Sequence, residues 1–303
     1  MRAVLLLAHG TPDSLDDMPE YLTRVRGGRP PSPELVEEMR RNYAAIGGRS
    51  PLTDITRAQA AALAAELGGA PVYFAMRNWR PYVADVLAEA VRDGATDLLA
   101  VPMAPQYSTL SVEKYRQAVD AAAPEGLRAA FVESWHDHPA LLDAFAEKVR
   151  AALAADEPAA VIFTAHSLPV RVVREGDPYP EQVAATAAGV AARSGVTSWS
   201  LAYQSAGRTP EPWLGPSIQD ALDAQARAGS RRVLLVPVGF VCDHTEILYD
   251  LDVQAREWAA ERRIELRRTE SLNVSPTFIR ALAAIVRDPR RSVGRMSGTV
   301  TSP

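Results

Sequence analysis

Cysteine is almost absent from this chain: one residue, Cys242, in 303. That excludes a disulfide within the chain and an iron–sulfur cluster held by four of its own cysteines. Cys242 itself reads as a small buried residue. Long apolar runs are also missing. The opening run, Ala3–Ala8, gives way at once to His9-Gly10 and is too short for a secretory signal. No later run approaches the roughly 18 apolar residues of a membrane span. A cytoplasmic protein without a membrane span is therefore expected. Basic excess is missing too: 33 Lys and Arg stand against 37 Asp and Glu, a net charge of −4. Nucleic-acid binders carry a basic stripe, so no nucleic-acid partner is expected. Gly27-Gly28 and Gly47-Gly48 mark turns, but neither a strand–GxGxxG–helix nor a GxxxxGK[ST] loop occurs.

Hydrophobic residues make up 47% of the chain, enough for a sizeable core. Short apolar runs at 3–8, 72–75, 97–101, 129–132, 160–164, 198–203, 232–237 and 264–267 read as strands. Between them, 58–67, 83–91, 141–153, 181–192, 218–226 and 253–261 carry apolar residues at helical spacing. Such alternation predicts βαβ units, hence α/β architecture with parallel sheets flanked by helices. The chain also resembles itself. Ala8-His9-Gly10-Thr11-Pro12 parallels Ala165-His166-Ser167-Leu168-Pro169, and a later strand in each half runs into Val-Pro. Two similar Rossmann-like domains are expected, 1–155 and 156–286, with 287–303 as a flexible tail. Ligands of such sheets bind beyond the carboxyl ends of the strands. His9, the 105–109 loop, His166, 204–216 and 239–246 all follow strand ends and are expected to line a shared cleft.

His166 ends an apolar strand, where a histidine either faces a ligand or satisfies loop backbone. Asp243 reads as a helix N-cap with Glu246 at N3, a capping-box spacing. Glu246 and Asp250 are four apart on one helix face, with Gln254 next. His244 is two residues from Glu246 and shares that face only if the helix has not yet begun. His136 and His138 read as surface histidines. Arg24, Arg26, Arg29, Arg49, Arg77 and Arg80 offer forked donors for carboxylates.

Taken in order, several segments resemble the ferrochelatases. These are Thr164-Ala-His-Ser-Leu-Pro169, Gly176-Asp-Pro-Tyr-Pro180, Tyr203-Gln-Ser with Pro212-Trp-Leu-Gly-Pro216, and Asp243-His-Thr-Glu-Ile-Leu-Tyr-Asp250. Gly10-Thr-Pro12, Tyr43, Ser50-Pro-Leu52 and Pro102 through Tyr115 match in the first half, so the resemblance spans about residues 3–285. It implies two chelatase-type domains enclosing a porphyrin cleft, and insertion of ferrous iron into the porphyrin. Iron is then a substrate; no prosthetic group or iron–sulfur cluster is expected, and the chain is taken as a monomer. By this resemblance His166 and Glu246 are the catalytic and metal-binding pair, and Arg26, Tyr43, Ser50 and Tyr115 contact the porphyrin. His9 stands where Bacillus-type relatives often have Tyr and is expected at the metal's opposite face. Asn42 and Gln254 replace residues that are often basic and acidic in the family.

Histidine, titrating ordinarily near pH 6.5, suits acceptance of the pyrrole protons, with a carboxylate assisting. The Arg24–Arg29 stretch and compact length favour coproporphyrin III, which carries four propionates, over protoporphyrin IX, which carries two. A cobalt or nickel tetrapyrrole chelatase and a non-catalytic heme carrier are the competing readings.

Overall fold

The computed structural model describes residues 1–154, 159–207, 209–288, 290 and 292–293. These residues fall into two compact units. One comprises Met1–Trp135 together with the chain from Val274 on, the other His136–Asn273.

The first unit begins with β1 (Arg2–Ala8), α1 (Met18–Val25), α2 (Pro33–Ala45), α3 (Leu52–Glu66) and β2 (Val72–Met76). It continues through α4 (Val83–Arg92), β3 (Asp97–Pro102), α5 (Val112–Ala122) and β4 (Arg128–Val132). Ala3 to Ala8 are all buried, as a central parallel strand covered on both faces requires. Prolines at the first turn start α1 and α2; Ser32 caps α2 by accepting from the Leu35 amide at 3.3 Å.

The second unit holds α6 (Pro139–Ala154), β5 (Ala160–His166), α7 (Val170–Arg174), α8 (Tyr179–Ser194) and β6 (Trp199–Gln204). Then come α9 (Ile218–Arg227), β7 (Arg232–Val236), α10 (Thr245–Leu248), a π-helical stretch (Asp250–Ala255), α11 (Arg256–Glu261) and β8 (Glu265–Arg268). The chain returns to the first unit with α12 (Pro276–Arg287) and β9 (Ser292–Val293).

The two sheets share one plan. The strand orders are β2-β1-β3-β4 and β6-β5-β7-β8, all parallel. In each, the first strand lies inside and the order reverses between the first and third. That reversal is the switch point where open α/β sheets bind ligands. His9 follows β1 and His166 ends β5, so both stand at a switch point.

The unit boundaries differ from the division at 155/156 expected from the chain's resemblance to itself. The change falls between Trp135 and His136, and the second unit stops at Asn273. The physical reason is two helices: α6 packs on α8 and so belongs to the second unit, and α12 returns to the first. Its buried residues Phe278, Leu282 and Ile285 pack with the first unit, where Phe278 stacks on Trp135 at 6.3 Å between ring centroids. Arg287 also donates to the Glu66 carbonyl at the end of α3, at 3.0 Å. Residues 155–158, and most of the expected tail, lie outside the described residues. Within that tail, Ser292–Val293 pairs antiparallel with β4.

Candidate active site

His166 is the last residue of β5. The last rung of its ladder with β6 is the Ser167 amide donating to the Gln204 carbonyl at 2.7 Å, and beyond it the Ser167 hydroxyl donates to the Leu214 carbonyl at 2.8 Å. The loop after β7 approaches this strand end closely. Gly239 donates to the Thr164 carbonyl at 3.2 Å, and a Cβ on Gly239 would lie 2.7 Å from that of Ala165. Only glycine allows that approach. Buried Gln204 then bridges the two elements, accepting from the Thr164 hydroxyl at 3.0 Å and donating to the Glu246 carbonyl at 2.6 Å.

These contacts bring His166 Nε2 to 3.6 Å from Glu246 Oε1. The other carboxylate oxygen, Oε2, lies 3.7 Å from His244 Nε2. Both distances are ion-pair distances, longer than a hydrogen bond. Each imidazole is oriented by its other nitrogen: His166 Nδ1 bonds the Ser167 carbonyl, and His244 Nδ1 the Cys242 carbonyl at 3.2 Å. A carbonyl only accepts, so Nδ1 carries the proton in both rings. A neutral ring would then aim its Nε2 lone pair at a carboxylate. That arrangement is relieved only by a cation between them, a proton or a metal ion.

The electrostatics agree. Burial works against a charged His166, but the Glu246 carboxylate outweighs it and raises the imidazole from 6.5 to about 9. Burial of Glu246 is likewise overcome, and His166 with His244 holds it well below the usual carboxylate range. Burial and the neighbouring Glu246 charge push Asp250 up from 3.8 to about 6, against a hydrogen bond from Ser205. Ser205 sits at φ 58°, a left-handed conformation costly for a residue with a side chain. The carboxylate of Glu246 therefore favours the protonated form of His166 over the free base that its ordinary value of 6.5 suggests. Cys242 is buried and its thiol pushed up to about 12, which makes it inert.

The start of the helix differs from the sequence expectation. The N-cap is His244, extended at φ −159° and ψ −176°, not Asp243. Asp243 instead accepts from Ser271, Asn273 and Arg268, so no capping box forms with Glu246. Because the helix has not begun at His244, that residue reaches Glu246 after all. Among the described residues, no set of three or more His, Cys, Asp or Glu side chains is arranged to hold a metal ion. The two histidines face different oxygens of one carboxylate and do not share one point.

The remaining expected contacts lie in the first unit. His9 is half-buried, 3.1 Å from the Asn78 amide nitrogen through Nε2, with Tyr21 edge-on to its ring. Tyr43 is buried, its hydroxyl 2.9 Å from that of Thr11. Ser50 is buried near the start of α3, and Tyr115 is buried with the Arg77 guanidinium 5.3 Å from its ring centroid. Arg26 is exposed; Arg24 is bound to Glu20 through two nitrogens. His138 accepts from the Ala140 amide at the start of α6, a structural role. The sequence reading quoted Gln204, Ser205 and Tyr179 within motifs but gave them no role. Tyr179 is buried in the cluster that packs around Ala165 and Tyr203.

No helix among the described residues is long and apolar enough to cross a membrane. Comparison with known proteins gives the fold and the family. SirB from Bacillus subtilis, solved with Fe3+, has the same fold, with a TM-score of 0.60 over 94% of each chain at 12% identity. A protein named ferrochelatase from Acidobacterium capsulatum is 44% identical over 93% of both chains. One named coproporphyrin III ferrochelatase from a Geobacillus species is 38% identical over 93% of this chain and 96% of its own. The family model for ferrochelatase matches residues 1–289. With that extent of match, and with His166 and Glu246 paired at a strand end, the chain belongs to the ferrochelatase family, which inserts metal into porphyrin.

Proposed function

We propose that this protein inserts ferrous iron into coproporphyrin III, with His166 and Glu246 as the reacting pair, no resident cofactor, and a monomer as the working unit. The observation that carries the site is the imidazole–carboxylate pair, whose facing atoms invite a cation. Donor atoms each about 2.1 Å from one first-row ion stand 3–4 Å apart, the range of this pair. Imidazole and carboxylate both suit ferrous iron, and a ligand set short of a full shell lets the metal leave again.

The raised proton affinity of His166 gives the pair two linked tasks. An arriving Fe2+ displaces the imidazole proton, as metal binding to a protonated ligand must. When the metal moves into the ring, Nε2 is vacated beside an anionic Glu246 and takes up one of the two pyrrole protons. Asp250, raised to about 6, exchanges the other with solvent. Distorting the planar ring to expose its lone pairs costs about 1–5 kcal/mol, drawn from contacts remote from the metal. Arg26, Tyr43, Ser50 and Tyr115 are assigned to those contacts, and His9 to the metal's other face.

Two observations support coproporphyrin III: the name of the Geobacillus relative, and the exposed guanidinium of Arg26 with Arg29 nearby for extra propionates. Protoporphyrin IX is the alternative, since the Acidobacterium relative, more similar in sequence, carries a name that states no substrate and Arg24 is already spent on Glu20. Anaerobic Fe2+ insertion followed by absorbance, with both porphyrins, on wild type and His166→Ala, tests both points. Coproporphyrin turnover should exceed protoporphyrin turnover and be lost in the variant. The reverse preference would reassign the substrate, and an active variant would remove His166 from the mechanism.

A further inference from the structure

The segment from His244 to Asp250 carries three of the site's four ionisable groups. His244 is extended, and the first helical turn, Thr245–Leu248, runs through Tyr249 into the π-helical stretch Asp250–Ala255. Such π-helical turns are rare and occur mostly at functional sites. The aim of His244 and Glu246 therefore depends on how the two flanks of this turn are held.

Both flanks of the segment converge on one side chain. Arg268, the last residue of β8, is 14% exposed. Its guanidinium grips Asp252 as a fork, Nε to Oδ1 at 2.9 Å and Nη2 to Oδ2 at 2.8 Å. The same Nη2 lies 3.2 Å from Asp243 Oδ1. Asp243 immediately precedes His244, and Asp252 follows Asp250 by two residues in the π-helical stretch. Asp243 is locked further: its amide donates to Asn273 Oδ1 at 2.8 Å, Asn273 Nδ2 returns a bond at 2.8 Å, and Ser271 adds one at 2.7 Å.

We propose that Arg268 is a positioning residue for metal insertion, bracketing the His244–Asp250 segment by tying its two flanking carboxylates to one guanidinium at the end of β8. The proposal rests on the reading of His166 and Glu246 given above. Without the guanidinium, Asp243 keeps its bonds from Ser271 and Asn273 and Asp252 its longer ion pair with Arg256 at 3.5 Å, but no group ties the two flanks to each other. Lysine keeps the charge but has no planar fork, so it can hold one carboxylate and not both in this geometry. A displacement of about 1 Å at reacting groups costs up to about 100-fold in rate.

The test uses Arg268→Lys and Asp252→Asn in the full chain, with Arg267→Lys as a control on the same strand, where Arg267 pairs with Glu265 near the surface. Measured together are kcat for Fe2+ insertion, the Kd of the metal-free protein for porphyrin by fluorescence quenching, and far-ultraviolet circular dichroism. For both bracket variants, kcat should fall about 10- to 100-fold with porphyrin Kd within about twofold and the spectrum unchanged, while Arg267→Lys keeps wild-type kcat. If Arg268→Lys fails to fold, Asp252→Asn decides. Wild-type kcat in the folded bracket variants, or a fall in kcat matched by equal weakening of porphyrin binding, overturns the proposal. His166→Ala assayed alongside separates the two readings: an active His166→Ala refutes the assignment of His166, whereas wild-type bracket variants beside an inactive His166→Ala refute the bracket alone.

Discussion

A histidine whose Nδ1 is held by a carbonyl has one nitrogen left, and His166 turns that nitrogen toward Glu246. Its folded-state value of about 9 stands above the ordinary 6.5. The stabilisation it brings is thus fully present below about pH 6.5 and lost as pH rises through 9. In Glu246→Gln the main opposition to burial is gone and only the Ser167 carbonyl and Asp250 still favour the charged ring, so the His166 titration should move down from about 9. Histidine Cε1–H resonances followed against pH would show this, and a titration still near 9 would mean that Glu246 is not the cause. Asp250 has the opposite sense. A carboxyl raised from 3.8 to about 6 costs stability above pH 6 and nothing below 3.8. Asp250→Asn should therefore stabilise the metal-free protein by roughly 1–2 kcal/mol at pH 8, a gain that fades below pH 4. Urea unfolding at both pH values measures the difference.

At the scale of elements, the site depends on how closely the loop after β7 lies on the end of β5. Gly239→Ala places a methyl 2.7 Å from Ala165 Cβ and 2.8 Å from its Cα, both belonging to a fully buried strand residue. The loop must give way, carrying Glu246 off His166. A loss of about 1–3 kcal/mol in unfolding free energy is expected, with insertion activity reduced far beyond what that loss explains. Retention of full activity in Gly239→Ala would show that the approach is not needed. This contact was not legible in the sequence, because it joins residues distant along the chain. The eight strands were legible, since buried parallel strands are continuous apolar runs, and each expected run overlaps a strand. The helices α1, α2, α5, α7 and α12 were not among the stretches read as helical; in α1 and α2, proline in the first turn and a surrounding run of arginines and glycines imitate a loop. His166, Glu246 and Asp250 were legible from their motifs. The role of His244 was not, since it depends on the helix starting one residue later than the Asp243 signal suggests. Nor was Arg268, one of several arginines, until the fold set it against Asp243 and Asp252.

At the scale of the whole molecule, the same strand order occurs twice, with a histidine at the reversal each time. That agrees with the self-resemblance of Ala8-His9 and Ala165-His166 and supports duplication of an α/β unit. The units differ in how they are completed. The second runs without interruption over His136–Asn273, whereas the first needs a helix made at the far end of the chain. That helix, α12, was not among those expected from the sequence, and its apolar residues alone do not name the surface they cover. Its Phe278 is fully buried and stacked on Trp135, so Phe278→Ala should cost about 3–5 kcal/mol, borne by the first unit. A chain stopped after Asn273 carries the argument further. It keeps every strand of the β6-β5-β7-β8 sheet and removes from the first unit the helix that covers α3 and Trp135. Hydrogen exchange should then find the β5–β8 amides still protected and those of β1–β4 exchanging rapidly. Protected β1–β4 amides in the shortened chain would mean that the first unit is complete without α12, and that the boundary belongs nearer the middle of the sequence after all.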